Sequence, residues 1–240
     1  AKFMVIDLDS VLNKESSVAQ TIFIKVPVLI IRNHKENQEQ SVCLHTNRSH
    51  TQYIIDLLID VGFYLGEYYV NLDKKIKIMK VFGFEPNPET FEKVEKKFLK
   101  NKKVEILNFA LGDISSTKDF NINFEPSSSS FNSINQSSNY FKKKNRILNI
   151  FRFRKTNRSI QVKIKTLEEI LVKNNVNEID LMKIDTEGYE FKILKGLNKL
   201  ISKVKVIHFE HHYDNMLVKN YKFSDINNFL AVNNFKKFFK

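Results

Sequence analysis

The stretch that most constrains what this chain can fold into is residues 54–86. An apolar run at residues 54–59 ends in Asp60-Val61-Gly62-Phe63-Tyr64-Leu65-Gly66, and a second apolar run at residues 76–84 ends in Glu85-Pro86. Two short apolar runs divided by a glycine turn predict a strand, a turn that opens a helix, and a second strand closing on an acid, the front of a nucleoside-binding βαβ unit. Glycine lets the backbone pass close to a ligand with no Cβ in the way, and the acid can accept both hydrogen bonds of a ribose diol. Glu85 follows Asp60 by 25 residues, near the roughly 20-residue spacing of the dinucleotide fingerprint. Tyr64 stands where that fingerprint has its middle glycine. A pyrophosphate needs the close approach, whereas an amino-acid tail linked to adenosine does not, so the turn fits S-adenosylmethionine better than NAD. Taken alone, the turn reads equally well as a helix-packing glycine after a buried strand.

At 240 residues the chain can build one α/β domain with a full core. No stretch approaches the roughly 20 apolar residues that span a bilayer. Asp7 and Asp9 interrupt the apolar part of the N-terminus, unlike a signal peptide. Cys43 is the one cysteine, which excludes an intramolecular disulfide and a cysteine-cluster metal site and predicts a reducing, cytoplasmic setting. The formal net charge is +12, which invites a polyanionic partner. A general lysine bias that coats solvated faces explains most lysine runs equally well. The exception is residues 141–158, where Phe141, Phe151 and Phe153 interleave with Lys142, Lys143, Lys144, Arg146, Arg152, Arg154 and Lys155, a mixture suited to an anionic acceptor or a membrane surface.

Along the chain, residues 1–50 form an N-terminal extension of unassigned role, with strand-like runs at residues 3–8 and 21–31. Asp7-Leu8-Asp9 resembles the nucleophile strand of phosphate-transferring aspartate enzymes, with nothing downstream to support it. Residues 51–240 read as the main domain. Asn87-Pro88-Glu89 supplies a cap, a first-turn proline and an early acid for a helix to residue 99. A third strand is expected over residues 104–109, and its end, with Ala110 and Asp113, would border an adenine pocket, although Asp113 reads equally well as part of an ordinary turn. Residues 114–158 read as an insertion. In it Phe120, Ile122 and Phe124 alternate as in a half-exposed strand, and the serine run 127–130 is either a flexible linker or a loop beside the ligand cleft. Ile160, Val162 and Ile164 alternate as another strand, and Thr166 with Glu169 caps the helix that follows.

The second informative stretch is Ile179-Asp180-Leu181-Met182-Lys183-Ile184-Asp185-Thr186-Glu187-Gly188-Tyr189-Glu190. It predicts a buried strand ending in two acids and a glycine, then one helix burying Ile193, Leu194, Leu197, Leu200 and Ile201. Acids at the carboxyl end of a strand in an open α/β sheet sit where ligands bind. A last sheet strand over residues 204–209 closes in His208-Phe209-Glu210-His211-His212, which holds three of the six histidines. Strand alternation would put His208, Glu210 and His212 on one face. The tail predicts a helix over residues 224–230 and a strand-like run over residues 235–239.

With both stretches placed, the chain resembles the FkbM-type methyltransferase family. The matching pieces are Asp60-Val61-Gly62 with Gly66, Gly83-Phe84-Glu85-Pro86-Asn87, Asn108-Phe109-Ala110-Leu111-Gly112, Thr166-Leu167, Lys183-Ile184-Asp185-Thr186-Glu187-Gly188-Tyr189-Glu190, Lys195-Gly196 and Phe209-Glu210, in family order. The resemblance implies a class I, Rossmann-like methyltransferase fold, a doubly wound and mostly parallel sheet with helices on both faces. It implies methyl transfer from S-adenosylmethionine to a hydroxyl of a sugar, glycan or other small natural product. By position, Asp60, Gly62 and Gly66 would shape the methionine pocket, Glu85 would hold the ribose, Ala110 would line the adenine, and Asp185 and Glu187 would stand at the reacting end. The family usually has Ala-Asn after the first glycine, and here Phe63 and Tyr64 would crowd the methionine tail.

Methyl transfer from a sulfonium is an in-line displacement that needs an aligned, deprotonated acceptor. Asp185 or Glu187, assisted by one of His208, His211 and His212, is expected to supply this. As plain structural residues, the same acids would cap the following helix. A divalent ion is compatible with these groups and is not demanded by their spacing. The competing readings are a nucleic-acid-directed methyltransferase, for which the amino-methylating Asn-Pro-Pro-Tyr type motif is missing, and a basic surface-binding module with a degenerate cofactor site.

Overall fold

The structure is a computed structural model, and it describes residues 55–123, 126–133, 135, 158–211 and 217–236, with three strands near the N-terminus. Those strands, β1 (Val18–Phe23), β2 (Val26–Arg32) and β3 (Val42–Thr46), form an antiparallel sheet in chain order. The single run expected at residues 21–31 is thus divided between two paired strands. Phe23 pairs with Val26, so the chain reverses inside the run, at a point marked by neither glycine nor asparagine. Residues 3–9 and 141–157 lie outside the described residues.

The main sheet has five strands: β4 (Ile55–Val61), β5 (Ile78–Phe84), β6 (Val104–Leu107), β10 (Ile179–Ile184) and β11 (Val204–Phe209). Their order is β11-β10-β4-β5-β6, and every neighbouring pair is parallel. The chain winds outward from β4 to β6, then crosses back to β10, so the direction of winding changes between β4 and β10. A crevice opens at the carboxyl ends of strands at such a switch point. The central strands are apolar on both sides because both are covered. Leu57, Ile59, Val61, Phe82, Phe84, Met182 and Ile184 pack into one cluster, and Leu58, Val81, Leu181 and Val206 into a second.

Helices α1 (Glu67–Asp73) and α2 (Pro88–Phe98) supply Tyr69, Val94 and Phe98 to the second cluster. Asn87 caps α2 by accepting from the Glu89 amide at 3.1 Å, with Pro88 at the first position, as its sequence predicts. The first cluster is closed by α3 (Leu167–Lys173), α4 (Glu190–Lys195), α5 (Phe223–Val232) and a small second sheet. That sheet has the order β7-β9-β8, from β7 (Ala110–Leu111), β8 (Ser116–Ile122) and β9 (Arg158–Lys165). Phe120 and Ile122 are buried, as the alternation predicts. Thr166 accepts from the Glu169 amide, while the Glu169 carboxylate accepts the Ser115 hydroxyl instead of closing a capping box.

Two elements differ from expectation. The helix after Gly188 stops at Lys195, and a 3-10 turn covers Asn198–Lys203. The cause is packing: a Cβ on Gly196 would lie 2.0 Å from the Gly112 carbonyl oxygen, and the Gly196 carbonyl accepts the Glu168 amide. The backbone is therefore pinned at a point where helical periodicity alone would carry it straight on. At the C-terminus, Phe235 donates back to the Leu230 carbonyl beyond α5 and carries no strand; residues 237–240 lie outside the described set.

Candidate functional site

A cleft of about 520 Å³ opens at the carboxyl ends of β4, β5 and β10. This is within the roughly 300–1,000 Å³ typical of small-molecule sites. Its lining includes Gly62, Tyr64, Glu67, Tyr68, Glu85, Ala110, Ser127, Ser129, Phe131, Lys183, Asp185, Glu187 and Tyr189. Four carboxylates and one ammonium line it, in a chain whose net charge is +12.

The turn after β4 is built by backbone bonds. The Gly62 and Phe63 amides both donate to the Phe84 carbonyl, and the Asp185 amide donates to the Val61 carbonyl. Gly62 has φ +78°, and a Cβ there would meet the Asp185 carbonyl oxygen at 1.9 Å. Its lack of a side chain is thus needed for β4 and β10 to end side by side. Gly66, also left-handed, precedes α1, and the space its Cβ would take is filled by the Phe63 and Phe98 rings. Gly66 is absent from the cleft lining and packs against both rings.

Those contacts settle where Phe63 goes. Its ring is 2% exposed, lies edge-on to Phe98, and occupies the space left open by Gly83 on the neighbouring strand. The ring is therefore a core group worth roughly 2–3 kcal/mol of burial, and Phe63 also lines the cleft. Tyr64 does stand at the cleft, half-buried, with φ +47°.

Glu85 sits at the cleft with both oxygens engaged. One accepts the Tyr64 amide and the other the Asn87 amide, each at 2.9 Å. Burial pushes its carboxyl up to about 7, against the pull of those two amides and of Lys183. Each carboxylate oxygen keeps a lone pair free for a diol.

The register of the sheet aligns Asp60, Lys183 and His208 on adjacent strands. Asp60 is fully buried and outside the cleft lining, and neither of its oxygens has a hydrogen-bond partner. The Lys183 amine lies 3.3 Å from Asp60 Oδ1 and 3.4 Å from Asp185 Oδ2, donates to the Gly62 carbonyl at 3.0 Å, and stands over the Tyr68 ring. Burial raises the Asp60 carboxyl to about 6 although Lys183 pulls it down. The Tyr68 hydroxyl is 3.1 Å from His208 Nδ1. Burial lowers the His208 pKa, Lys183 lowers it further, and Asp185 opposes them.

Beyond Asp185 the chain turns tightly, with Glu187 and Gly188 both at positive φ. Buried Glu190 reaches back to accept the Thr186 amide, the Thr186 hydroxyl and the Gly188 amide, and its other oxygen accepts the Tyr221 hydroxyl. The Glu187 carbonyl accepts from Ser130 Oγ and Asn132 Nδ2. The serine run is thereby tied to the turn: Ser130 is buried and pairs with Asn121, while Ser127 and Ser129 border the cleft.

Of the residues expected at a site, Gly62, Glu85, Ala110, Asp185 and Glu187 line one cleft. Asp60 reaches it through Lys183, and His208 stands behind Tyr68. Asp113 is half-buried and not part of the lining. His211 turns to the other side, against Tyr221 and Phe223, and His212 lies outside the described residues. Sequence reasoning passed over Lys183, Tyr68, Glu190 and the Phe131–Tyr189 ring pair. Lys183 carried a signal, because a lysine inside an apolar strand is rarely buried without a partner. Among the described residues, no three or more His, Cys, Asp or Glu side chains converge as metal ligands do, and no helix is long and apolar enough to cross a membrane.

The chain is 27% identical over 157 residues to the hexuronic acid methyltransferase AglP of Haloferax volcanii, covering 65% of this chain and 56% of that protein. It thus spans little more than half the length of that relative. Among solved structures it is similar to methyltransferase FkbM from Methylobacillus flagellatus, with a TM-score of 0.47 and 13% identity over 74% of this chain and 37% of the other. The methyltransferase FkbM domain matches residues 60–237, and the chain belongs to that family.

Proposed function

We propose that the chain is an S-adenosylmethionine-dependent O-methyltransferase acting on a hydroxyl of a sugar or glycan. The observation that carries this is the concentration of Glu67, Glu85, Asp185 and Glu187 around one cleft in a strongly basic chain. Such a cleft repels polyanions and attracts a compact cation, which disfavours the nucleic-acid reading. The residues suit the cofactor: Glu85 presents free lone pairs for a ribose diol, Ala110 and Leu111 leave room for a flat base, and Asp185 faces the cleft with 41% of its side chain exposed. When bound, S-adenosylmethionine supplies an electrophilic methyl group on a sulfonium. The hexuronic acid substrate of the Haloferax relative supports a sugar acceptor.

Asp185 orients the acceptor hydroxyl by accepting its hydrogen bond. His208 is the proton sink, because its lowered pKa keeps the imidazole neutral near neutral pH. Tyr68 lines the cleft with its hydroxyl 3.1 Å from His208 Nδ1, so the acceptor proton passes to the Tyr68 oxygen as the Tyr68 proton passes to His208 Nδ1. Phe131 and Tyr189, with ring centroids 4.7 Å apart on the wall beside Ser127 and Ser129, offer an apolar face and hydroxyls to a sugar ring.

Titration calorimetry with S-adenosylmethionine and S-adenosylhomocysteine tests the reading. Micromolar binding to the intact protein that falls at least tenfold in Glu85→Ala, with the fold confirmed by circular dichroism, is the expected result. Absence of binding to the intact protein refutes it.

A further inference from the structure

The lysine at the centre of the site is the least expected of its residues. Lys183 is 8% exposed, and its amine touches Asp60, Asp185 and the Gly62 carbonyl within 3.4 Å. Asp60, the acid of the glycine turn, is fully buried and cannot reach the cleft itself. A buried carboxylate without hydrogen bonds is costly unless a charge compensates it, and Lys183 is the cation beside it. The same amine then reaches the acid at the end of β10. Thus a buried anion, a bridging cation and a cleft-facing anion are in contact in turn across two strands, with the amine 5.6 Å from the centre of the Tyr68 ring.

We propose that Lys183 is a positioning residue that uses Asp60 as its anchor, holds the Asp185 carboxylate in place at the reacting end, and sets the charge felt there. The proposal rests on the reading of the cleft as an S-adenosylmethionine site. Asp185 without its cation would be free to rotate and would present a full negative charge to the sulfonium. Lys183 without Asp60 would present an excess positive charge to the same point. Lys183 is the nearer of the two to the cleft, which it lines, so it dominates the local field over the buried acid behind it.

S-adenosylmethionine and S-adenosylhomocysteine differ at the sulfur, cationic in the first and neutral in the second, and otherwise by one methyl group. The ratio of their dissociation constants in one variant therefore isolates the charge at that point from contacts both ligands share. The experiment is titration calorimetry of both ligands with intact protein, Lys183→Met, Lys183→Arg, Asp60→Asn, and the double variant Asp60→Asn with Lys183→Met. Lys183→Met should shift the ratio toward the cationic ligand and Asp60→Asn toward the neutral one, each by about threefold or more, with Lys183→Arg close to the intact protein. The double variant removes a buried ion pair as a unit, which proteins tolerate better than half of one. It therefore supplies the test if a single variant fails to fold, and its ratio should follow the Lys183→Met direction. A purely structural role would weaken both ligands together and leave the ratio unmoved, or move it the same way in Lys183→Met and Asp60→Asn; any of these results overturns the proposal. Failure of the intact protein to bind either ligand would instead overturn the cofactor reading.

Discussion

Glu85 should make the protein more stable in mild acid than in mild base. Its carboxyl is 6% exposed and is pushed from 4.5 up to about 7, chiefly by burial. The folded state therefore holds this proton more tightly than the unfolded chain does. The stability tied to protonation is fully present below pH 4.5 and is lost as pH rises through about 7. Integrating the difference between the two titrations, the cost of ionising Glu85 in the fold is about 3 kcal/mol at about pH 8 and about 1.4 kcal/mol at about pH 5.5. Acidification over that window should thus raise the unfolding free energy by roughly 2 kcal/mol from Glu85 alone. Asp60, raised to about 6 and fully buried, adds a smaller increment of the same sign, because most of its titration difference lies below the window. Glu85→Gln removes the larger part. The amide cannot accept from both the Tyr64 and Asn87 amides, so the variant loses about 1–3 kcal/mol at one of them, but that loss does not depend on pH. Urea unfolding of both proteins at about pH 8 and about pH 5.5 reads the comparison directly. A wild-type protein no more stable at the lower pH than at the higher, or a pH slope equal in Glu85→Gln, would refute the reasoning.

Two further substitutions probe the walls of the cleft. Gly62→Ala places a Cβ at 1.9 Å from the Asp185 carbonyl on a backbone with φ +78°, and should cost roughly 2–4 kcal/mol in urea unfolding; a loss under about 0.5 kcal/mol would mean that β4 and β10 can part there. Tyr221→Phe deprives buried Glu190 of its hydroxyl partner and should cost about 1–3 kcal/mol. It should also loosen the 186–190 turn, seen as faster amide exchange at Gly188, and unchanged exchange would show that the other three bonds to Glu190 suffice.

The fold was legible because the strands announce their own ends. Asp60-Val61-Gly62, Phe84-Glu85-Pro86 and Ile184-Asp185-Thr186 each close an apolar run of strand length, and three such endings with helices between them suit a parallel sheet. Glu85 and Asp185 were therefore placed at the crevice from residue order alone. The position of the Phe63 ring was not legible, because the space it fills is the missing side chain of Gly83, 20 residues away and on another strand. Nor was the role of Lys183. It depends on Asp60, Lys183 and His208 sharing one register across three strands, and register is set by packing of the whole sheet. Periodicity likewise ran on past Lys195, where the backbone contact of Gly196 with Gly112 ends the helix.

Strand-end acids also account for how a basic chain can hold an acidic cleft. Lysines such as Lys74, Lys75, Lys77, Lys100 and Lys102 are exposed and lie in turns that precede β5 and β6, at the amino ends of the strands. Glu85, Asp185 and Glu187 follow strands, at the opposite end. A parallel sheet keeps these two sets of turns on opposite edges of the molecule, so the surplus of positive charge does not cancel the field in the crevice at short range. At physiological ionic strength the screening length is about 8 Å, shorter than the roughly 20 Å run of a seven-residue strand. The net charge of +12 is thus a poor guide to the ligand. The charge that a bound molecule meets is local, set by four carboxylates, of which Glu85 is held partly protonated by burial, and by Lys183.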